Sequence, residues 1–492
     1  MDNLREILEP MKRLIVVGGQ WGDEGKGKIV DLLAMFYDII ARYSGGSGAG
    51  HTTWLPDGRK LVGHQIPCGM AQGKTCVLAR GVFFDFARFC QELKEAEIVL
   101  DEQIPVIAID KGCPLWTPWH ALLEAHIENV LGAEKIRTTG RGIGPLAALL
   151  KLRLGPEVGD IKNPYGLLKT RLENLYLVLL PIIHSMVEKG LVDMNDIPNP
   201  EETDKTYFHQ DVDITPLICD TSLLLHNAIR SNERILFEGA QAIGLDNRWG
   251  TYPYVSSGDS TAAGAAINTG LPMETFNGAI MVFKVFPTRV GAGPFPTEIW
   301  DREGAEKFAQ RRKELFVPGS AERKEFLTMR LEQINQAHAT EEAISNYLQV
   351  LGYERGASTG RGRSVGLLDI PWLQYAIRIN GPKWLALTRF DMLSGLKSVP
   401  VCEEYGLYGS ILEPGVIPST DKLDEVAPRY ELWECWPEDI AGITVESQLP
   451  ATAQNFLTRL EDRLGVPILL VGTGESRNAV IVRHAPVPTA AV

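Results

Sequence analysis

The chain has 492 residues, of which 45 % are hydrophobic and 23 % charged, and its formal net charge is −13. This composition is typical of a globular protein with a large core, and the acidic balance argues against a general nucleic-acid binder. The seven cysteines show no C-x-x-C spacing, which excludes a zinc site or disulfide framework of that kind and favours a reducing cytosol.

The start of the chain, MDNLREILEPMKR, is too charged for a signal peptide, and no apolar run approaches the length of about 18 residues that a membrane span needs. We therefore expect a cytoplasmic protein with neither membrane nor nucleic-acid partners. Residues 1–12 are interpreted as an N-terminal extension, 13–484 as a single domain and 485–492 as a flexible tail.

The first glycine-rich loop lies between a predicted strand at residues 14–17 and a predicted helix from Ile29 onward. It contains five glycines, at positions 18, 19, 22, 25 and 27, together with Lys26 and Lys28. A strand, a glycine-rich turn and a helix together point backbone N–H groups at a phosphate. Residues 22–28 fit G-x-x-x-x-G-K, but Ile29 stands where a P-loop has the hydroxyl that binds magnesium. Asp23, inside the loop, is the nearest alternative metal ligand.

A second strand is predicted at residues 38–43, and the loop after it ends in His51. A histidine beside backbone amides exchanges protons near neutral pH, although a lone histidine is more often structural. Further strands are predicted at 60–67, 76–79 and 106–110, and helices at 83–99 and 120–131. Residues 137–145, with two arginines and three glycines, form a cationic turn suited to a phosphate or carboxylate, or an ordinary exposed loop.

The middle of the chain continues the alternation of helices and strands. A long helix is predicted at 165–190, bent at Pro181, followed by an acidic, loop-like stretch at 191–214 and a helix at 223–231. A strand at 234–237 has Glu238 and Gln241 after its C-terminal end, where parallel sheets bind ligands. Another strand is predicted at 280–286.

Residues 301–350 are charged, and we interpret them as an insertion of one or two surface helices without a site. Beyond it, residues 358–363 repeat the Thr-Gly-Arg-Gly theme. Asp391 follows a predicted strand at 385–388, and its carboxylate can accept two hydrogen bonds from a guanine edge. The last predicted strand is 468–471. These elements predict an α/β fold with a P-loop-like, mixed but mostly parallel central sheet flanked by helices, with subdomain insertions.

Eight motifs in one order resemble the adenylosuccinate synthetase family, over residues 14 to 483: GGQWGDEGKGKIVD, RYSGGSGAGHT, TTGRGIGP, FEGAQ, GTYPYVSS, TRVGAGPFPTE, STGRGR and LTRFDMLSG. The resemblance implies a GTP-dependent ligation of L-aspartate to IMP through a 6-phosphoryl-IMP intermediate, with Mg²⁺ as cofactor. It also implies a homodimer. Asp23 would remove the N1 proton and bind the metal with Gly50, and His51 would act as the acid.

The resemblance also assigns binding positions. GTP would be held by Gly22, Asp23, Glu24, Gly25, Lys26, Gly27, Lys28, Gly50, His51, Thr52, Arg363, Arg389, Phe390, Asp391, Gly472, Thr473 and Gly474. IMP would be held by Asp23, Lys26, Gly48, His51, Thr139, Arg153, Gln241, Ser256 and Arg361, with Arg153 reaching the neighbouring subunit's site. The aspartate would be held by Ala357, Ser358, Thr359, Gly360, Arg361 and Arg363.

Some positions depart from the family pattern. Gly48 stands in place of an asparagine that helps to hold the intermediate, which leaves extra room near the purine. Arg389 replaces a lysine, Gly472 replaces a serine, and residues 146–150 are apolar. Two alternatives therefore stay open: the same chemistry on another 6-oxopurine nucleotide such as dGMP or GMP, with GTP or ATP as donor, and a nucleotide-binding homologue without turnover.

Overall fold

Helices and strands alternate along the chain in this computed structural model, which describes residues 2–55, 58–101, 103–132, 135–163, 165–208, 212–289, 291–300, 302–336, 340–354 and 362–483. The α-helices of this part, α1 to α15, are Asp2–Leu8, Lys26–Ala34, Phe86–Val99, Pro118–Leu131, Ile143–Lys151, Leu167–Glu188, Pro200–Phe208, Thr221–Arg230, Ala263–Thr269, Arg302–Arg311, Ala321–Ile334, Glu341–Gly352, Ile370–Asn380, Thr420–Leu423 and Ala451–Leu464. The strands, β1 to β17, are Arg13–Gly18, Ile39–Arg42, His51–Trp54, Lys60–Gly63, Thr75–Leu78, Ile107–Asp110, Ile218–Cys219, Ile235–Glu238, Gly278–Lys284, Thr288–Arg289, Ser364–Val365, Trp384–Thr388, Ser398–Leu407, Ser410–Ile411, Ala427–Glu434, Ile468–Gly472 and Val480–Val482.

A ten-stranded sheet organises the molecule, in the order β17-β16-β12-β9-β1-β8-β2-β5-β6-β7. Its neighbours are parallel except β16 and β17, which are antiparallel. The predicted fold class is therefore confirmed, and every apolar run that predicted a strand of this sheet forms one. Such runs are readable because a parallel strand covered on both faces is apolar at nearly every position.

Strand β1 shows how the sheet divides the core. Leu14 and Val16 point to one face and pack in a cluster with Ile29 and Val30 of α2. The alternate residues, Ile15 and Val17, belong to the cluster on the opposite face, which includes α13. Because successive side chains of a strand alternate, one short run anchors helices on both sides of the sheet. The C-terminal ends of the parallel strands then share one edge, where the glycine-rich loops lie.

Two sequence interpretations are wrong. The stretch 191–214 is not simply a loop, because it contains α7, whose PEETDKTYF sequence is helix-forming but has few apolar residues. The insertion at 301–350 contains α10, α11 and most of α12. Helix α12 is buried along most of its length, with Leu348, Gln349 and Val350 at most 1 % exposed. Its charged first turn hides this burial from a composition-based interpretation.

The two ends of the chain differ. The proposed extension, residues 1–12, begins with α1, whose Leu4 and Leu8 are fully buried in the same cluster as Leu14. The proposed tail, 485–492, lies outside the described residues.

A small antiparallel sheet, β14-β13-β15, was not predicted. In the part of the chain that is described, no helix has the length and apolar character needed to cross a membrane.

Candidate active site

The loop between β1 and α2 is shaped by a buried carboxylate. The Glu24 side chain accepts hydrogen bonds from the backbone N–H groups of Gln20 at 3.2 Å and Gly22 at 2.8 Å, and from Lys26 Nζ at 2.7 Å. Gly22 and Asp23 take left-handed backbone conformations, with φ of 96° and 59°. The Glu24 carboxylate therefore faces the loop itself, whereas the Asp23 side chain is 29 % exposed.

The start of α2 is open to an anion. Its N-cap is Gly25, with φ of 83°, and no side chain caps the first turn. The free N–H groups and the helix dipole therefore favour negative charge at this point. Strand β3 packs beside it, since a Cβ on Gly27 would lie 3.2 Å from His51 Cβ and 3.4 Å from the Thr52 carbonyl oxygen. The predicted phosphate loop and His51 are thus neighbours.

Lys28 joins the first glycine loop to the last one. Its Nζ donates to the carbonyl oxygens of Gly474 at 2.6 Å and Ala479 at 2.8 Å. A Cβ on Gly472 would lie 3.2 Å from the same Nζ. Burial lowers the pKa of Lys28 to about 8, and the Asp391 charge opposes this shift. The predicted GTP positions 28 and 472–474 therefore form one cluster.

The end of β12 completes that cluster. Thr388 Oγ1 donates to the Glu24 carbonyl oxygen at 2.6 Å, which brings residues 389–391 next to the first loop. Asp391 Oδ1 is buried without a hydrogen-bond partner among the described residues. Burial raises the pKa of Asp391, while the charges of Arg389 and Lys28 lower it. A buried, unpartnered carboxylate oxygen calls for a donor, and a bound ligand can supply one.

His51 is engaged on both sides of its ring. Arg42 Nη1 lies 2.6 Å from Nδ1, and Nε2 lies 3.0 Å from the Ile66 carbonyl oxygen. Because the guanidinium can only donate, Nδ1 accepts and Nε2 carries the proton. Burial lowers the pKa of His51 to about 4, against the pull of Glu238. The imidazole is therefore neutral, and both of its ring nitrogens are engaged within the protein.

One group of possible metal ligands lies beside His51. Within the described residues, the ligand atoms of His51, Cys68 and Glu238 all lie within 4.8 Å of one another. However, Arg42 Nη1 is 2.6 Å from His51 Nδ1 and 2.8 Å from Glu238 Oε1. A guanidinium thus already supplies the positive charge there, and a soft Cys–His donor set is unsuited to magnesium.

Asp23 forms an ion pair with Arg363. The distance between Asp23 Oδ2 and Arg363 Nη2 is 3.0 Å, and Arg363 Nη1 lies 3.4 Å from Glu354 Oε2. Arg363 Nε is buried without a partner among the described residues. The other residues predicted to bind the aspartate lie outside the described residues: Ala357, Ser358, Thr359, Gly360 and Arg361.

Two of the predicted IMP positions, Gly48 and Thr139, lie in contact. A Cβ on Gly48 would lie 2.7 Å from Thr139 Oγ1, so a threonine side chain occupies the room that the glycine was expected to leave. Gln241 Nε2 is 3.7 Å from a Cβ built on Gly45, and its Oε1 is buried without a partner within the described part. Ser256 donates its backbone N–H to the Leu245 carbonyl at 2.8 Å.

Arg153 stands apart from these residues. It follows α5 with a left-handed φ of 63°, and it is exposed. Its backbone N–H donates to the Leu150 carbonyl oxygen at 2.9 Å, which closes the turn after α5.

Sequence reasoning missed four buried charged residues near the site: Arg42, Glu238 as the partner of Arg42, Lys284 and Glu354. A signal for them was present. Arg42 ends the apolar run IIAR, and Lys284 interrupts the apolar run VFKVF. A charged side chain in an apolar strand indicates a buried partner of opposite charge, because charged residues are rarely fully buried unless they are paired. The sequence does not reveal which distant acid is the partner.

A family model described as adenylosuccinate synthetase matches residues 15–481. The chain belongs to the adenylosuccinate synthetase family. Relatives of that name include those of Halothermothrix orenii, 36 % identical over 97 % of this chain and 100 % of the relative, and of Myxococcus xanthus, 34 % identical over 97 % and 99 %. The enzymes of this family are ligases.

Two solved structures are similar to the chain. The fully ligated adenylosuccinate synthetase of Plasmodium falciparum matches with a TM-score of 0.77 and 29 % identity, covering 96 % of this chain and 99 % of that one. A cyanophage S-2L succinoaminodeoxyadenylate synthetase, bound to dGMP and dATP, matches with a TM-score of 0.54 and 16 % identity, covering 97 % and 95 %. The second likeness shows the shared fold alone.

Proposed function

We propose that the protein ligates L-aspartate to IMP at the expense of GTP, in two steps. The purine O6 first attacks the γ-phosphorus of GTP, which forms 6-phosphoryl-IMP and releases GDP. The aspartate amine then attacks C6, and phosphate leaves to give adenylosuccinate. The phosphorylation is needed because the O6 oxygen on C6 is a poor leaving group until it carries a phosphoryl group.

The observation that carries this proposal is the arrangement around Asp23. Its carboxylate lies on an exposed, left-handed turn two residues before the uncapped start of α2, and Arg363 Nη2 lies 3.0 Å from its Oδ2. Asp23 would take the proton from purine N1, which places negative charge on O6. His51 would turn from Arg42 and the Ile66 carbonyl toward the transferring phosphoryl group and stabilise its charge.

Asp23 and Gly50, the two residues assigned to the metal, would offer oxygen atoms to Mg²⁺. The Asp23 carboxylate and the Gly50 carbonyl are oxygen ligands, which a hard divalent cation prefers. Bound there, Mg²⁺ would neutralise charge on the nucleotide phosphates. The chain's own Lys26 and the free N–H groups at the start of α2 would hold the same phosphates. Asp391 would accept from guanine N1–H and N2–H, and Arg363 with residues 357–361 would hold the aspartate.

We further propose that the active unit is a cytosolic homodimer. Arg153 is exposed, and apolar side chains near it in the chain are exposed as well, with Leu150, Leu152 and Tyr165 exposed by 37 %, 66 % and 91 %. Such a surface is suited to a partner subunit. The seven cysteines are all free thiols, as expected in a reducing compartment.

A substrate matrix tests the proposal. The protein is incubated with aspartate, Mg²⁺, one of IMP, dGMP or GMP and one of GTP or ATP, and the absorbance of the succinyl-purine is followed. We expect the highest kcat/KM with IMP and GTP. Preference for dGMP or GMP would establish the paralogous activity instead, and no turnover with any pair would indicate a binding protein.

A further inference from the structure

A buried ion pair lies directly behind the Asp23–Arg363 contact. Lys284 Nζ and Glu354 Oε1 are 2.7 Å apart, and their side chains are only 3 % and 7 % exposed. Burial lowers the pKa of Lys284, and the charges of Glu354 and Asp23 raise it. The second carboxylate oxygen of Glu354 faces Arg363 Nη1 at 3.4 Å, whose other terminal nitrogen faces Asp23. The order Lys284, Glu354, Arg363, Asp23 thus alternates in charge.

Hydrogen bonds through Gln20 connect the two ends of this row, Lys284 and Asp23. Gln20 and Lys284 exchange two hydrogen bonds, from Gln20 Nε2 to the Lys284 carbonyl and from the Lys284 N–H to Gln20 Oε1, each at 3.0 Å. Gln20 also donates its own N–H to Glu24 in the phosphate loop. The strand that carries Lys284 is therefore tied to the loop that carries Asp23.

The two middle members, Glu354 and Arg363, are fixed by the termination of α12. Tyr353 takes a left-handed φ of 53°, and the Glu354 N–H donates to the Gln349 carbonyl at 2.9 Å. Arg363 N–H then donates to the Glu354 carbonyl at 3.0 Å, and Gln349 Nε2 donates to the Arg363 carbonyl at 3.0 Å. The backbone on both sides of residues 355–361 is thus attached to one buried helix end.

We propose that Glu354 and Lys284 are positioning residues that hold the Arg363 guanidinium against Asp23. Glu354 draws one terminal nitrogen of Arg363, so that the other faces Asp23 and the unpartnered Nε remains for a ligand. Lys284 neutralises the Glu354 carboxylate, because an uncompensated charge inside the protein is unfavourable. This inference rests on the proposed function, because it assigns the pair to the placement of a substrate-binding arginine.

A purely structural role would give the same contacts, so the test must separate stability from catalysis. Glu354→Gln leaves Lys284 without a counter-charge, and Lys284→Met leaves Glu354 with Arg363 as its remaining partner. Both variants should lower stability and kcat. The double variant Lys284→Met/Glu354→Met removes both charges and keeps the volume, and should recover stability. Its kcat should nevertheless stay about tenfold or more below that of the wild type, because Arg363 has lost its second carboxylate.

Steady-state kinetics and urea unfolding of these variants decide the matter. The KM for IMP should stay within about twofold of the wild type, because Arg363, which Glu354 contacts, is assigned to GTP and the aspartate and not to IMP. Recovery of wild-type kcat together with stability in the double variant would overturn the proposal. The matched control is Glu403→Gln, because Glu403 is also 7 % exposed and pairs with Arg459 and Arg463 at 3.0 and 2.6 Å. It should lose stability with kcat within about twofold.

If the double variant does not fold, Glu354→Asp gives the answer. It keeps a charge for Lys284 but withdraws it from Arg363, so a kcat about fivefold lower supports the proposal and an unchanged kcat overturns it. If the wild type shows no turnover, the proposed function fails separately. Crystal structures of the wild type and the double variant then test the pair: departure of the guanidinium from Asp23 supports it, and an unchanged 3.0 Å contact overturns it.

Discussion

Arg42 donates from one nitrogen to two partners, His51 Nδ1 at 2.6 Å and Glu238 Oε1 at 2.8 Å. All three groups lie at the C-terminal edge of the sheet, with Arg42 and Glu238 paired across β2 and β8. Glu238 Oε2 also accepts the N–H of Cys68 at 2.9 Å. The imidazole is therefore held by a buried ion pair, which is itself fixed to the backbone.

Glu238→Gln should lower the free energy of unfolding by about 3 kcal/mol, because it leaves the buried guanidinium of Arg42 without its counter-charge. Urea unfolding followed by circular dichroism measures the change. The control is Glu431→Gln, since Glu431 pairs with Arg459 but is 54 % exposed. The control should change stability by less than about 1 kcal/mol. An equal loss of unfolding free energy in the two variants would show that the buried pair stabilises the protein no more than the exposed pair does.

The stability of the protein should depend on pH through Asp369. This residue caps α13 by accepting the Trp372 N–H at 3.1 Å and also accepts a hydrogen bond from the Tyr405 hydroxyl. Burial raises the pKa of Asp369 to about 7, against the effect of these hydrogen bonds. The folded state therefore holds a proton that the unfolded state has already released. The resulting stabilisation is complete below about pH 4 and is lost as the pH rises to about 7.

Asp369→Asn should remove this dependence while keeping the cap. The difference in unfolding free energy between wild type and variant should change by roughly 4 kcal/mol between pH 4 and pH 7.5, at about 1.4 kcal/mol for each pKa unit. Urea unfolding at a series of pH values measures it. A constant difference across that range would show that Asp369 is ionised in the folded protein throughout.

Asp391→Asn should weaken the use of GTP. Its buried Oδ1 has no partner among the described residues, and an amide cannot accept from both N1–H and N2–H of guanine. We expect kcat/KM for GTP to fall by about 100-fold, equivalent to roughly 3 kcal/mol, with the KM for IMP unchanged. Initial rates at saturating IMP provide the measurement. An unchanged kcat/KM for GTP would place the nucleobase elsewhere.

Mixing inactive variants tests the shared site. Arg153→Leu and Lys26→Ala should each be inactive if the first residue serves the neighbouring subunit and the second its own. A mixed dimer would then contain one intact site, so mixing should restore up to about a quarter of the wild-type activity under random exchange. No recovery, with mixed dimers demonstrated by differential tagging, would assign both residues to the same chain's site.

Eight of the ten strands in the sheet were predictable because each is an apolar run that carries its own signal. The two-residue β7 and the three-residue β17 are too short to give one, so the expectation that the strand at 468–471 is the last was wrong. The phosphate loop was predictable because its glycines and lysines lie close together in the sequence. The pair Lys284–Glu354 was not, because 70 positions separate residues whose contact depends on how α12 ends. The burial of α12 was hidden for a related reason: Tyr347 and Leu348 of this helix join a core cluster that includes Val365 of β11 and residues of the central sheet, which lie elsewhere in the sequence.

The central claim is that the Asp23 carboxylate takes the purine proton, and Asp23→Asn tests it most directly. The amide keeps the shape of the side chain but cannot act as a base at neutral pH. The account predicts a folded protein that still binds IMP, with kcat for adenylosuccinate formation lowered by about 10²-fold to 10⁴-fold. A kcat within about tenfold of the wild type, at saturating IMP, GTP and aspartate, would contradict it.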